Sequence, residues 1–200
     1  MKLYFSPMTR ATRPRWMLEE LGVPYELATL DMMKGEHKKP EYLKIHPLGA
    51  VPALEDGGFT MYESAAIIMY LADKYPEKGL APALGTADRG AYYQWISFAM
   101  TEADPLLVTI LMNTRFLPEA ERSAAAVEKA SQRFKVIAPI IQERMKGREY
   151  IVGNKFSAAD VVVGGTLALA NMLNALDGYP DLKAYLGRLM ERPATKKAFA

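Results

Sequence analysis

The chain has 200 residues, 50% hydrophobic and 24% charged, and its 25 basic and 23 acidic side chains leave a net charge of +2. That balance excludes a nucleic-acid partner recognised by bulk charge and fits a soluble globular protein with ample core. There is no cysteine, so disulfides and thiolate metal sites are excluded, and any thiol chemistry must use a thiol supplied by a ligand.

In chain order, Lys2-Leu3-Tyr4-Phe5 reads as a short apolar strand stopped by Ser6-Pro7. A helix follows, with Trp16, Met17, Glu20 and Leu21 on one side, Pro14 in its first turn, and Gly22 with Pro24 ending it. Tyr25–Leu30 alternates as a second strand, and Glu36–Ile45 reads as a short irregular helix interrupted by Pro40. Val51–Glu55 and Phe59–Tyr62 flank Asp56-Gly57-Gly58, which is hairpin-turn chemistry. A helix over Glu63–Tyr75, with Ile67, Ile68 and Leu71 buried, closes the unit. The order β-α-β-α-β-β-α predicts a mixed sheet, its first two strands parallel through a right-handed crossover, with helices on both faces.

Residues 76–86 are rich in proline and glycine and read as a linker. The remainder is helical: Ala87–Met112, bent near Pro105; Pro118–Lys146, interrupted at Pro139; Ser157–Ala175; and Asp181–Arg192, with a final turn in the tail. The expected organisation is an α/β domain over 1–75 and an all-helical domain over 87–200. The longest apolar run, Val161–Leu173, contains Gly164, Gly165, Thr166 and Asn171 and is too short to span a bilayer. The opening residues lack the apolar stretch of a secretory signal, so the expected setting is the cytoplasm.

Pro52 is the anomaly. Inside a strand it removes a ladder donor and belongs at an edge or an irregularity. A cis peptide at Pro52 would turn the N–H and C=O of Val51 out of the ladder, free to pair with a bound extended backbone. Glu63 and Ser64 open the next helix, where N–H groups and the dipole attract an anion. Ser64 would bind a carboxylate and Glu63 an ammonium. An edge proline and a simple N-cap are the ordinary readings of these residues taken singly. Together they describe a site for a small peptide.

The stretch "KIHPLGAVPALEDGG…YESAAIIMYLADKY" resembles the glutathione-binding half of the glutathione S-transferase family, and "LYFSPMTRATRPRWMLEELGVPYE" resembles that family's first β-α-β unit. "FSAADVVVGG" and "RLMERPATKKAF" resemble its second domain and C-terminus, so the likeness covers nearly the whole chain. The resemblance implies a thioredoxin-like domain followed by a helical domain carrying the hydrophobic substrate side, with glutathione as co-substrate and no metal. It implies that Val51, before Pro52, bonds the cysteinyl backbone, that Glu63 and Ser64 hold the γ-glutamyl end, and that His37 meets the glycine carboxylate. His46 stands where asparagine is commoner.

Transfer of glutathione needs a thiolate, so a donor must favour the anion. The family's tyrosine-type position aligns near Phe5, which has no hydroxyl and disfavours that mechanism, and its cysteine-type position aligns with Arg10 in a chain without cysteine. The likeness leans to serine-type theta-, delta- or beta-like bacterial members, and counting back from Arg13 gives Thr9, with Ser6 second and Tyr4 last. Arg10, beside a helix N-terminus, implies an anionic partner. Ser157 and Asp160 read as a capping box. Tyr92, Trp95, Phe98, Met100, Met112 and Phe116 supply core and the lining of an apolar pocket. The resemblance further implies a homodimer in which Glu102 reaches the neighbouring subunit, and an electrophilic apolar substrate. It leaves open isomerase, dehalogenase or peroxidase chemistry and a non-catalytic, ligandin-like role.

Overall fold

A computed structural model describes all residues, Met1–Ala200. The chain divides into two compact units: Met1–Ala81 with Glu191–Ala200, and Pro82–Met190.

In the first unit β1 (Lys2–Phe5), β2 (Glu26–Thr29), β3 (Ala53–Asp56) and β4 (Phe59–Tyr62) form one sheet in the order β2-β1-β3-β4. β1 and β2 are parallel; the β1–β3 and β3–β4 pairs are antiparallel. Between β1 and β2 lies α1 (Thr12–Leu21), closed by Gly22 in the left-handed conformation, whose N–H bonds back to Leu18 and Glu19. Pro40 does not interrupt a helix but starts one: a single turn at Glu36–Lys38 is followed by α2 (Pro40–Leu43), with proline at a first-turn position that needs no donor. α3 (Ser64–Lys74) follows β4.

Side chains alternate across the pleat. Tyr4 and Ala53 share one face with Tyr42 of α2, packed by Ala28, Leu30, Ile45 and Val51. Leu3 and Leu54, both fully buried, point to the opposite face, where α1 and α3 pack together. Helices therefore cover both faces, as the pattern predicts. The tail departs from the expected division. α9 (Pro193–Phe199) packs on α1, where Arg192 grips Glu20 through two bonds of 2.6 and 2.7 Å, Lys197 pairs with Glu19 at 2.6 Å, and Phe199 meets Trp16 edge-on. Residues 191–200 thus belong to the first unit.

The second unit is helical throughout. α4 (Ala87–Phe98) runs through a π-turn at Ala99–Ala103 into α5 (Asp104–Leu111) and a second π-turn at Met112–Phe116. The first π-turn ends beside Pro105, whose missing N–H cannot join the regular ladder. This run, 30 residues with a mean hydropathy of 1.3 over its most apolar window, is long and apolar enough to cross a membrane. It carries buried Arg89 and Asp104 and packs on the later helices Ala124–Met145 and Ala158–Met172, as a core helix does. α6 (Ala124–Met145) starts at Ser123, whose hydroxyl accepts from Ala126 N–H. It passes through Pro139 without a break, because the ring sits on the solvent side while Phe134, Ile137, Ala138 and Ile141 hold the buried face. α7 (Ala158–Met172) and α8 (Pro180–Met190) complete the unit.

Candidate functional site

Strand register assembles the candidate site. Ala53 pairs with Tyr62 across the β3–β4 hairpin, so the next step outward sets Pro52 alongside Glu63. Tyr4 pairs with Ala53 on the other side, which brings the loop after Phe5 to the same end of the sheet. Three segments far apart in sequence meet there: Ser6–Arg10, His46–Pro52 and Glu63–Ser64.

The Val51–Pro52 peptide is cis. Pro52 is buried and Val51 is half-buried. Glu63 has φ 73 and ψ 110, outside the basins that a non-glycine residue favours, and its side chain is exposed. Such a backbone costs roughly 1–3 kcal/mol and persists where the surroundings over-determine it, most often at ligand clamps. Ser64 follows as the first residue of α3. It is 2% exposed, and its hydroxyl has no hydrogen-bond partner. A buried donor left unmade costs about 1–3 kcal/mol, and within the chain this hydroxyl has no acceptor.

The loop before Pro52 is held from below. Lys38 Nζ donates to the carbonyls of Leu48 and Gly49 at 2.9 and 3.0 Å, and Tyr42 Oη donates to Ala50 O at 2.6 Å. Burial pushes the Tyr42 phenol far above its ordinary range, so it remains a donor at any working pH. Gly49, at φ 55, lies so close to the preceding turn that a Cβ would stand 2.5 Å from His37 O. Replacing Gly49 by alanine is expected to lower the unfolding free energy by about 2–4 kcal/mol, from left-handed backbone strain plus overpacking; denaturant unfolding measures it. His37 is half-buried, and its Nδ1 also lacks a partner. Lys38 and Gly49 were not singled out from the sequence; the one available signal was the glycine before Ala50-Val51-Pro52.

His46 is 4% exposed and stacks on Tyr62, with ring centres 4.6 Å apart and an interplanar angle of 33°. Burial lowers its pKa from 6.5, against the Glu63 charge, which raises it, so the ring is neutral at neutral pH.

In the first loop Thr9 Oγ1 donates to Ser6 O at 2.6 Å and accepts from Ala11 N–H at 3.2 Å. That is a local turn bond, which competes with any role toward a ligand. Ser6 is 7% exposed and Arg10 is exposed. Tyr4 points to the α2 face, where its hydroxyl donates to Glu55 at 3.1 Å, away from this end of the sheet's other face. Met8, between Pro7 and Thr9, has φ 58 and is 71% exposed.

In the second unit Glu102 pairs with Arg133 at 3.0 Å within the chain. Tyr92 and Trp95 are core, while Met112 and Phe116 stay exposed on the second π-turn. Asp160, fully buried, accepts from Ser157 N–H and Oγ–H, from Ile151 N–H and from Tyr185 Oη–H. The expected capping box is therefore also a tie between loop and helix. No group of three or more His, Cys, Asp or Glu side chains could hold a metal ion.

A thioredoxin-like sheet with a cis-proline loop beside a helix N-terminus, followed by a helical unit, defines a class of two-domain protein. Residues 1–73 match the family model for the glutathione S-transferase N-terminal domain, and residues 98–193 match that for the C-terminal domain. A probable glutathione S-transferase from Oryza sativa subsp. japonica is 35% identical over 98% of this chain and 94% of its own length. Glutathione S-transferase 1 of Zea mays is 33% identical over 100% and 96%. Among solved structures, a sphingomonad glutathione S-transferase complexed with glutathione aligns over 100% of this chain and 97% of its own, at 32% identity and a TM-score of 0.87. The chain belongs to the glutathione S-transferase family.

Proposed function

We propose that the chain is a cytoplasmic glutathione transferase that binds glutathione along the Val51–Pro52 edge and ionises its thiol for attack on an apolar electrophile. The observation that carries this reading is the unpartnered, buried Ser64 hydroxyl beside the strained Glu63, at the strand end where the register delivers Pro52. In this reading Ser64 and the first N–H groups of α3 take the γ-glutamyl carboxylate, and Glu63 takes its ammonium. Val51 offers N–H and C=O to the cysteinyl backbone, while His37 faces the glycine carboxylate and Arg10 adds positive charge nearby. The sulfur comes to the Ser6–Thr9 loop, where a hydroxyl must stabilise the anion of a thiol whose ordinary pKa is about 8.5. Thr9 can do so by releasing Ser6 O and turning its proton to the sulfur; Ser6 is the second candidate.

The protein works as a homodimer in this reading. Tyr93, Val136 and Ile140, large apolar side chains left exposed on α4 and α6, support it, and sedimentation equilibrium tests it. The commitment of the Thr9 hydroxyl to Ser6 O favours one second reading, a ligandin-like protein that holds glutathione without turnover.

Ultraviolet absorbance of bound glutathione at neutral pH separates the two. A thiolate band with the wild-type protein that is lost in Thr9→Ala is the expected result. Loss in Ser6→Ala alone reassigns the donor to Ser6. Binding without a band in any of the three proteins establishes the carrier.

A further inference from the structure

His46 has no part in the ligand contacts proposed above, yet it touches both the loop that ends at Val51 and the strand that leads to Glu63. Its N–H donates to Tyr42 O at 2.9 Å and its carbonyl accepts from Gly49 N–H at 2.7 Å, so its backbone anchors the start of the loop that ends at Val51. Its ring stacks on Tyr62, the last residue of β4, immediately before Glu63. The ring is almost wholly buried, and its Nδ1 has no partner in the chain.

We propose that His46 is a positioning residue of the glutathione site: the neutral ring props the end of β4 so that Glu63 is presented to the ligand's ammonium, and the protonated ring draws the Glu63 carboxylate to itself. This rests on the glutathione reading. The charged groups that act on the ring are Glu63, whose carboxylate favours the imidazolium, and Lys38, whose ammonium opposes it. Tyr62 contributes an aromatic face; the Tyr42 carbonyl is taken by the His46 backbone N–H and its hydroxyl by Ala50 O. Glu63, next in sequence to the Tyr62 ring on which His46 stacks, is thus the acidic group whose field reaches the imidazole, and in the proposal the ligand's ammonium competes for the same carboxylate.

The sign follows from linkage. When the ammonium occupies Glu63, the imidazolium loses its stabilising charge, so ligand binding expels a proton from His46. Affinity must then fall as pH drops through the range in which the free protein's ring protonates, which burial places below 6.5.

The test uses S-methylglutathione, whose blocked sulfur removes thiol ionisation from the measurement. Calorimetric titration of the wild type at pH 7.5 and 5.5 is expected to show affinity weakening by about two- to fivefold, because about a half to one unit of linked pKa change reaches its full effect of roughly three- to tenfold only well below both pKa values. In His46→Gln the affinity should no longer fall between pH 7.5 and pH 5.5. An equal slope in both proteins overturns the role of His46 while leaving the glutathione reading intact. No binding by the wild type at pH 7.5 overturns that reading, and this inference with it. If the variant does not fold, proton NMR of the wild type decides, because His37 and His46 are the only histidines. The His46 ring must become harder to protonate when S-methylglutathione is bound, and an unchanged titration sinks the proposal.

Discussion

Replacing Ser64 by alanine is expected to weaken glutathione binding by about 10- to 100-fold without lowering the unfolding free energy. The asymmetry follows from the site as it stands without ligand. The Ser64 hydroxyl is buried and bonded to nothing, so its removal costs the folded chain no hydrogen bond. It even relieves an unmet donor. The bound state loses a bond to a charged carboxylate, worth about 1.5–3 kcal/mol. Calorimetry and urea unfolding on the same variant separate the two effects. A variant that binds normally removes Ser64 from the site; one that unfolds early assigns it to the fold.

Asp160→Ala should produce the largest loss of stability, at least about 4 kcal/mol. The carboxylate is fully buried and collects donors from three places: the start of α7, the loop at Ile151, and Tyr185 of α8. Alanine would leave the N–H groups of Ile151 and Ser157 and the Tyr185 hydroxyl buried without partners, and each is costly alone. Against a typical total of about 5–15 kcal/mol, that loss unfolds a substantial part of the molecules at physiological temperature. Tyr185→Phe removes a single donor and should cost only about 1–2 kcal/mol. Chemical denaturation monitored by tryptophan fluorescence and circular dichroism gives both values. If Asp160→Ala behaves like Tyr185→Phe, the carboxylate is an ordinary cap and not a joint.

The strand-and-hairpin plan of the first unit is legible because it is local. Asp56-Gly57-Gly58 fixes the hairpin, the hairpin fixes the register of Ala53 on Tyr62, and the register carries Pro52 to Glu63. Other features depend on what no short stretch encodes. Whether the Thr9 proton points to Ser6 O or to a ligand is a question of one side-chain rotation. Pro139 reads as a breaker, but its ring lies on the exposed side of α6, and the buried residues around it keep the helix continuous. The tight approach of Gly49 to His37 O, and the Lys38 bonds above it, arise where two loops meet. His46 is visible in the sequence only as an unexpected residue; its contact with Tyr62 requires the folded sheet. The assignment of 191–200 to the helical domain went astray for the same reason, since nothing near Arg192 announces a partner on α1.

That last contact sets a schedule. Glu20 and Arg192 stand 172 residues apart, so the first unit is closed by residues that follow the whole of the second. On the ribosome, Pro82–Met190 forms a contiguous stretch that can collapse on its own contacts, whereas the flank of α1 around Trp16 waits uncovered until the tail emerges. While Pro82–Met190 is being made, the nascent first unit therefore has an apolar helix face open to solvent and to other chains. The unit begun before the helical one is finished after it.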